Sequence, residues 1–187
     1  MSNSVSALQG KVATAKVMVR DAGLRGMITL RGDITNTKLK AACAGLTGVD
    51  WPAPGQANCV GDKGLAWMSP DEILLLVPYA EVPAALGLVA KALKGQHYLA
   101  ENVSDARALI QIEGPFAAEV LAKLAPVDLH PANFKPGNFR RTRLGQVAAA
   151  FWMRDVDTID VICFRSVADY TFDLLATSAA AGPVGYF

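Results

Sequence analysis

Met27-Ile-Thr-Leu-Arg-Gly-Asp33 and Leu109-Ile-Gln-Ile-Glu-Gly-Pro115 describe the same piece of structure twice. In the first, Ile28 and Leu30 alternate with Thr29 and Arg31; in the second, Ile110 and Ile112 alternate with Gln111 and Glu113. Period-two alternation that ends at a glycine predicts a half-buried strand turning into a helix. A helical stripe follows each. Leu39, Ala42, Cys43 and Leu46 share one face after the first, and Phe116, Val120, Leu121 and Leu124 share one after the second. Pro115 stands where a first helical turn tolerates a missing N–H.

The echo continues outward. Gly64-Leu-Ala-Trp-Met68 turns through Ser69-Pro70-Asp71 into Ile73–Val77, and Gln146–Met153 turns through Arg154-Asp155 into Thr158–Phe164. Trp67-Met68 and Trp152-Met153 are placed as equivalent strand ends. A last helix closes each half, with Val82, Leu86, Val89 and Leu93 on one face and Val167, Tyr170, Thr171 and Leu174 on the other. The expected fold is therefore α+β: two β-α-β-β-α pseudo-repeats, residues 26–95 and 104–180, in a single compact unit spanning 1–187. They are expected to share one mostly antiparallel sheet with helices on one face. The loops Gly48–Lys63 and Pro126–Asn138 exceed ordinary connections, as functional loops often do.

Bulk composition narrows the function. The chain has 187 residues, 52% apolar and only 19% charged, with net charge +1. Such a chain can build a core without metal or disulfide, and its charge deficit has two readings, an Ala-rich core protein of ordinary solubility or a surface partly covered by a partner. Near-neutral charge gives no field that would draw nucleic acid or an acidic membrane. Met1–Lys11 lacks the apolar core of a signal peptide, and the longest apolar run, Ile73–Ala80, contains Pro78 and is too short to span a bilayer. Cys43, Cys59 and Cys163 are odd in number and far apart, which suits reduced thiols in a cytoplasm and fits no familiar zinc spacing.

Candidate chemistry is sparse. No G-x-G-x-x-G follows a strand, so no dinucleotide fingerprint is present. His97 and His130 lack an evident partner, and Ser104, His130 and Asp128 form a triad only on paper. Arg140, Arg141 and Arg143, with Lys135, make the one basic cluster; two readings stand, an anion site or a solvated or ion-paired surface. No catalytic, cofactor-binding or metal-binding residue is assigned. Arg165, Trp51, Tyr186 and Phe187 are the candidates for contact with a partner, being of types enriched at interfaces and placed outside or between the repeated elements. Trp67 and Trp152 fit an interface and a core equally.

Several segments resemble the sarcosine oxidase gamma subunit family. Trp67-Met-Ser-Pro-Asp-Glu-Ile-Leu-Leu-Leu76 is similar to its W-x-G-P-D-E-W-L-L segment. Ile112–Leu121 followed by Asp128-Leu-His-Pro131, and Phe164-Arg-Ser-Val-Ala-Asp-Tyr170, resemble two later motifs in the same order. The resemblance runs from about Gly26 to about Leu175. It implies a fold like the folate-binding aminomethyltransferases and membership, with alpha, beta and delta subunits, of a complex that oxidises sarcosine to glycine with hydrogen peroxide. In that complex the methyl carbon passes to tetrahydrofolate; FAD, FMN, NAD and zinc belong to the other subunits. In the aminomethyltransferases a D-V-S-H-like segment carries the catalytic aspartate, and here it reads Asn102-Val-Ser-Asp105. An amide cannot act as that carboxylate, so the resemblance implies a non-catalytic chain. Asn102 taken by itself reads as a turn residue before a strand. The competing readings are a free-standing folate-binding aminomethyltransferase and an iron–sulfur-assembly accessory protein.

Overall fold

The computed structural model describes residues 4–185. They begin with β1 (Val12–Thr14), β2 (Met18–Asp21), β3 (Gly26–Gly32), α1 (Thr37–Thr47), β4 (Ala57–Val60), β5 (Lys63–Ser69), β6 (Glu72–Val77), α2 (Val82–Ala92) and β7 (Tyr98–Asn102). There follow β8 (Arg107–Glu113), α3 (Ala117–Ala122), β9 (Phe139–Leu144), β10 (Val147–Asp155), β11 (Thr158–Phe164) and α4 (Ala168–Ala181). The architecture is mixed α+β, and every strand pairing is antiparallel.

Contacts divide the chain into two compact units, one of residues 25–104 and one made by the residues on either side. Each has its own sheet. The 25–104 sheet runs β4-β5-β6-β3-β7, and the other runs β1-β2-β8-β11-β10-β9. The expectation of one shared sheet is thus wrong, and pairing says why. The two opening strands lie inside separate sheets: β3 is flanked by β6 and β7, and β8 by β11 and β2, so neither pairs with the other. The strands that fill those edges are exchanged along the chain. β2, which leads into β3, pairs with β8, while β7, which leads into β8, pairs with β3.

In the 25–104 unit, Ile28, Leu30, Leu65, Ile73, Leu75 and Val77 present one sheet face to Leu39 and Cys43 of α1 and to Val82, Ala85 and Val89 of α2. α1 starts where Asn36 Oδ1 accepts from the backbone N–H of Lys38 (2.9 Å) and Leu39 (3.4 Å), and ends at Gly48 in the left-handed conformation. In the flanking unit, Val19, Ile110, Ile112, Phe151, Met153, Ile159 and Val161 pack with Val120 and Leu121 of α3 and with Phe172, Leu175 and Ala179 of α4. The α4 stripe is rotated from the expected one. Tyr170 is exposed, and Ala168, Thr171, Phe172, Leu175, Ser178 and Ala179 are buried, because the helix begins at Ala168 and its i, i+3, i+4 face starts there.

The opening strands are more buried than alternation suggests. Thr29 and Gln111, the first polar member of each alternation, are buried along with their apolar neighbours, whereas Arg31 is exposed and Glu113 half-buried. Alternation reports which residues differ in polarity; it does not require the polar face to meet water, and Gln111 pairs laterally with Arg20 and Asp160 instead. The tryptophan echo is also out by one residue. Trp67 pairs with Ile73 just before a bulge, and Met153 pairs with Ile159 just before the matching bulge. Trp67 and Met153 are therefore the register equivalents, and both lie against the helix-side core of their own units.

Glycine ends both opening strands for a backbone reason. Gly32 and Gly114 have φ of 145° and 133°. A Cβ on Gly114 would also lie 3.2 Å from Val17 Cγ1.

Candidate functional site

Two of the four partner-contact candidates are described. Arg165 opens the 3-10 turn between β11 and α4, is half-buried, and donates from Nη2 to the Val5 carbonyl at 3.2 Å. Beside it Phe164 is 49% exposed, and the Arg107 guanidinium carbon stands 5.2 Å from its ring centroid. Trp51 is half-buried against the helix-side core of its unit, with the Lys40 ammonium 5.6 Å over its ring. Tyr186 and Phe187 lie outside the described residues.

Asn102, Ser104, Asp128 and His130 are committed to local structure. Asn102 Oδ1 accepts from the Ser104 backbone N–H (3.0 Å) and hydroxyl (2.6 Å), which makes it the turn residue between β7 and β8. The Ser104 hydroxyl in turn accepts from the Met27 N–H at 2.9 Å. Asp128 receives the His130 backbone N–H (2.8 Å) and the Asn133 amide (2.6 Å), and His130 Nδ1 accepts from the Ala132 N–H (3.1 Å). These bonds, led by the His130 N–H, hold the Asp128 carboxyl below its ordinary range. Its role is loop closure, and no Ser-His-Asp relay is built from these atoms. His97 lines a cleft of about 30 Å³ with Arg31, Asn36 and Tyr98, room for one water.

The basic cluster does not converge on one point. It lies along β9, an edge strand, where Arg141 and Arg143 are exposed on one face. Arg140, on the other face, donates to the carbonyls of Phe139 and Asn133 (both 3.0 Å) and lies over the Phe134 ring. Cys43 and Cys163 are buried thiols. Desolvation pushes Cys43 up to about 12 and raises Cys163. Among the described residues no group of three or more His, Cys, Asp or Glu could hold a metal ion, and no helix is long and apolar enough to cross a membrane.

Three features escaped the sequence reading. The first is a polar row across the flanking unit's sheet, where Arg20, Gln111, Asp160 and Trp152 stand opposite one another on β2, β8, β11 and β10. Arg20 Nε donates to Glu113 at 2.5 Å and its Nη2 donates to Gln111 Oε1. Gln111 Nε2 donates to Asp160 at 2.6 Å, and Arg154 Nη1 approaches the same carboxylate at 3.4 Å. Gln111 and Asp160 are only 4% and 2% exposed, so the Asp160 carboxylate is answered inside the protein by the Gln111 amide and the Arg154 guanidinium. Only the register between strands far apart in sequence reveals such a row.

The second is a clamp on α3. Glu119, buried, accepts the backbone N–H groups of Val184 (2.8 Å) and Gly185 (2.9 Å). Lys123 donates to the carbonyls of Ser178 (2.5 Å) and Gly182 (2.7 Å) at the end of α4. A charged residue inside the apolar run Phe116–Leu121 was the available signal. The third is a cavity of about 450 Å³ between the start of α3, the 126–138 loop and the β10–β11 turn. Its walls are mostly apolar, among them Phe116, Leu129, Phe134 and Met153, with Glu119, Lys135 and Asp157 at polar points.

Comparison with known proteins bears on this arrangement as a whole. Residues 31–181 match the model of the sarcosine oxidase, gamma subunit family. The chain is 31% identical over 157 residues to the sarcosine oxidase subunit gamma of Corynebacterium sp. (strain U-96), covering 83% of this chain and 75% of that one. It is 29% identical over 147 residues to the same subunit of Arthrobacter sp., covering 77% and 70%. Among solved structures it is similar to a chain of the heterotetrameric sarcosine oxidase from Corynebacterium sp. U-96 in complex with pyrrole 2-carboxylate, with a TM-score of 0.80 and 30% identity over 91% of this chain and 88% of that one. Aminomethyltransferase T of the Bartonella henselae glycine cleavage system matches with a TM-score of 0.62 at 16% identity, over 87% of this chain and 46% of that one, which is a likeness of fold.

Proposed function

We propose that this chain, which belongs to the sarcosine oxidase gamma subunit family, is the non-catalytic gamma subunit of a heterotetrameric sarcosine oxidase. The complex oxidises sarcosine to glycine with hydrogen peroxide and passes the methyl carbon to tetrahydrofolate. FAD, FMN, NAD and zinc sit in the alpha, beta and delta subunits, and the assembly is cytoplasmic. The observation that carries the reading is near-full-length likeness, in sequence and fold together, to a chain of a heterotetrameric sarcosine oxidase. The commitment of Asn102, Asp128 and Ser104 to turns supports the non-catalytic part. The shared strand order, β4-β5-β6-β3-β7 beside β9-β10-β11-β8-β2, supports reading the two units as copies of one β-α-β-β-α plan.

Arg165 is the partner contact we favour, because exposed Phe164 stands beside it and the pair offers a cation and an aromatic surface together. Co-expression of this chain with the flavin-binding subunits, followed by size-exclusion chromatography and a sarcosine-dependent peroxide assay, tests the proposal. The four chains are expected to co-elute with peroxide activity, and Arg165→Ala with Phe164→Ala to weaken co-elution by about 2 kcal/mol, the scale of a hot spot. A chain that elutes alone beside a fully active assembly of the others would overturn the assignment.

A further inference from the structure

Three stretches of the flanking unit meet at the cavity of about 450 Å³, and hydrogen bonds tie them together. The Gly137 N–H donates to the Met153 carbonyl (2.8 Å) and the Met153 N–H to the Asn138 carbonyl (3.1 Å), which joins the 126–138 loop to β10. The Gly114 N–H donates to the Asp157 carbonyl (2.8 Å), which joins the approach to α3 to the β10–β11 turn. Asp155 Oδ1 accepts from the Asp157 N–H (3.0 Å) and fixes that turn, and the Phe134 N–H donates to the His130 carbonyl (2.9 Å) within the loop. The walls therefore stand in place before any ligand arrives, as those of small-molecule sites usually do.

The lining is graded from floor to mouth. Leu129, Phe134 and Met153 are buried and form the floor, with Phe116 half-buried beside them. Phe134 is fixed edge-on to Phe151 at 5.9 Å, and Met153 adds a thioether, which packs well against ring edges. Lys135 and Asp157 are exposed at the mouth, opposite in sign and on different stretches of chain. Neither side chain has a hydrogen-bond or ion-pair partner among the described residues, so they do not satisfy each other. Glu119, the other charged wall, is already engaged by the N–H groups of Val184 (2.8 Å) and Gly185 (2.9 Å). A free cation and a free anion at the mouth of an apolar cavity match a ligand that carries both charges at one end of an apolar body. The volume lies within the range of about 300–1,000 Å³ that holds small molecules.

We propose that this cavity binds a zwitterionic α-amino acid with an aromatic side chain. The ring packs on Phe116, Phe134 and Met153, the carboxylate meets Lys135, and the ammonium meets Asp157. Glycine and sarcosine carry the two charges but no body to fill the cavity, so the site is distinct from sarcosine oxidation and independent of the assignment to the oxidase.

The test titrates the full isolated chain with L-phenylalanine, with carbon-13-labelled methionine methyl groups as reporters. The Met153 methyl resonance is expected to shift to saturation with a Kd of about 1 mM, the scale a ligand of this size reaches, while that of Met68 in the 25–104 unit stays still. Lys135→Gln should weaken L-phenylalanine by about threefold to fivefold and leave 2-phenylethylamine unchanged. Asp157→Asn should weaken both by about the same factor and leave 3-phenylpropionate unchanged. Both side chains are exposed, so neither change puts folding at stake. Glycine and sarcosine should leave Met153 unmoved. No saturable shift up to about 20 mM L-phenylalanine would overturn the proposal. Equal affinity of the parent and both variants would overturn it as well, leaving an apolar cavity without charge recognition. In the co-expressed assembly, equilibrium dialysis should find more L-phenylalanine on the parent than on the variant carrying both changes. An assembly that shows no such difference, beside an isolated chain that binds, would give the cavity to a partner's side chain and overturn the ligand reading.

Discussion

Replacing Trp51 with alanine separates a partner contact from a core residue. A buried tryptophan removes about 150–250 Å² from water. Trp51 is half-buried against the core of the 25–104 unit, so about half of that, roughly 100 Å², is at stake. At about 25 cal/mol/Å² the loss is about 2.5 kcal/mol, an upper estimate because unfolded chains already shield some of this area. The Lys40 ammonium over the ring contributes a further ~0.5 kcal/mol at a site this open. Trp51→Ala should therefore destabilise the isolated chain by about 2–3 kcal/mol and lower Tm by roughly 5–10 °C. Lys40→Ala alone should cost no more than about 0.5 kcal/mol. Thermal unfolding followed by circular dichroism supplies both values, and co-elution with the larger subunits well below the transition gives the second reading. A Tm within a degree or two of the parent, with assembly lost, would refute the reasoning and return Trp51 to the partner surface.

Gly114→Ala should destabilise the flanking unit by about 1–3 kcal/mol, since φ of 133° is strained for any L side chain and the new Cβ meets Val17; urea unfolding measures it. The Asp128 carboxyl is depressed in the fold, so its contribution is complete above the unfolded value near 3.9 and is lost as pH falls through the lower folded value. Amide protection in the 126–138 loop, measured against the intrinsic exchange rate at each pH, should accordingly fall below about pH 4 in the parent, and Asp128→Ala should show the lower protection at neutral pH already. Cys43, with its thiol near 12, should resist iodoacetamide at pH 8 in the folded chain, and mass spectrometry should find Cys59 alkylated first.

Local pattern in the sequence determined much of this protein. Alternation at Ile28–Leu30 and Ile110–Ile112 marked the opening strands, and the glycines that close them proved to need positive φ. The hairpins around Ser69-Pro70-Asp71 and Arg154-Asp155 were legible within a residue or two, as was the buried stripe of α1. Asn102 was readable as a turn residue, because an Asx side chain accepting from the backbone N–H two residues on acts within one short window. All of these depend on interactions a few residues long.

Tertiary structure alone decided which strands fill which edges. β2 has four residues and β1 three, too short to show a period, and nothing local says that β2 will pair with β8 while β3, next along the chain, takes β7. The one-residue shift of the tryptophan echo depends on bulges, which insert a residue without changing composition. The polar row from Arg20 to Asp160 and the hold of Glu119 on Val184 and Gly185 join residues far apart in sequence. Their partners were named in the chain but could not be matched from it, because a buried charge is satisfied by whatever the fold brings within 3 Å, and periodicity carries no record of that distance.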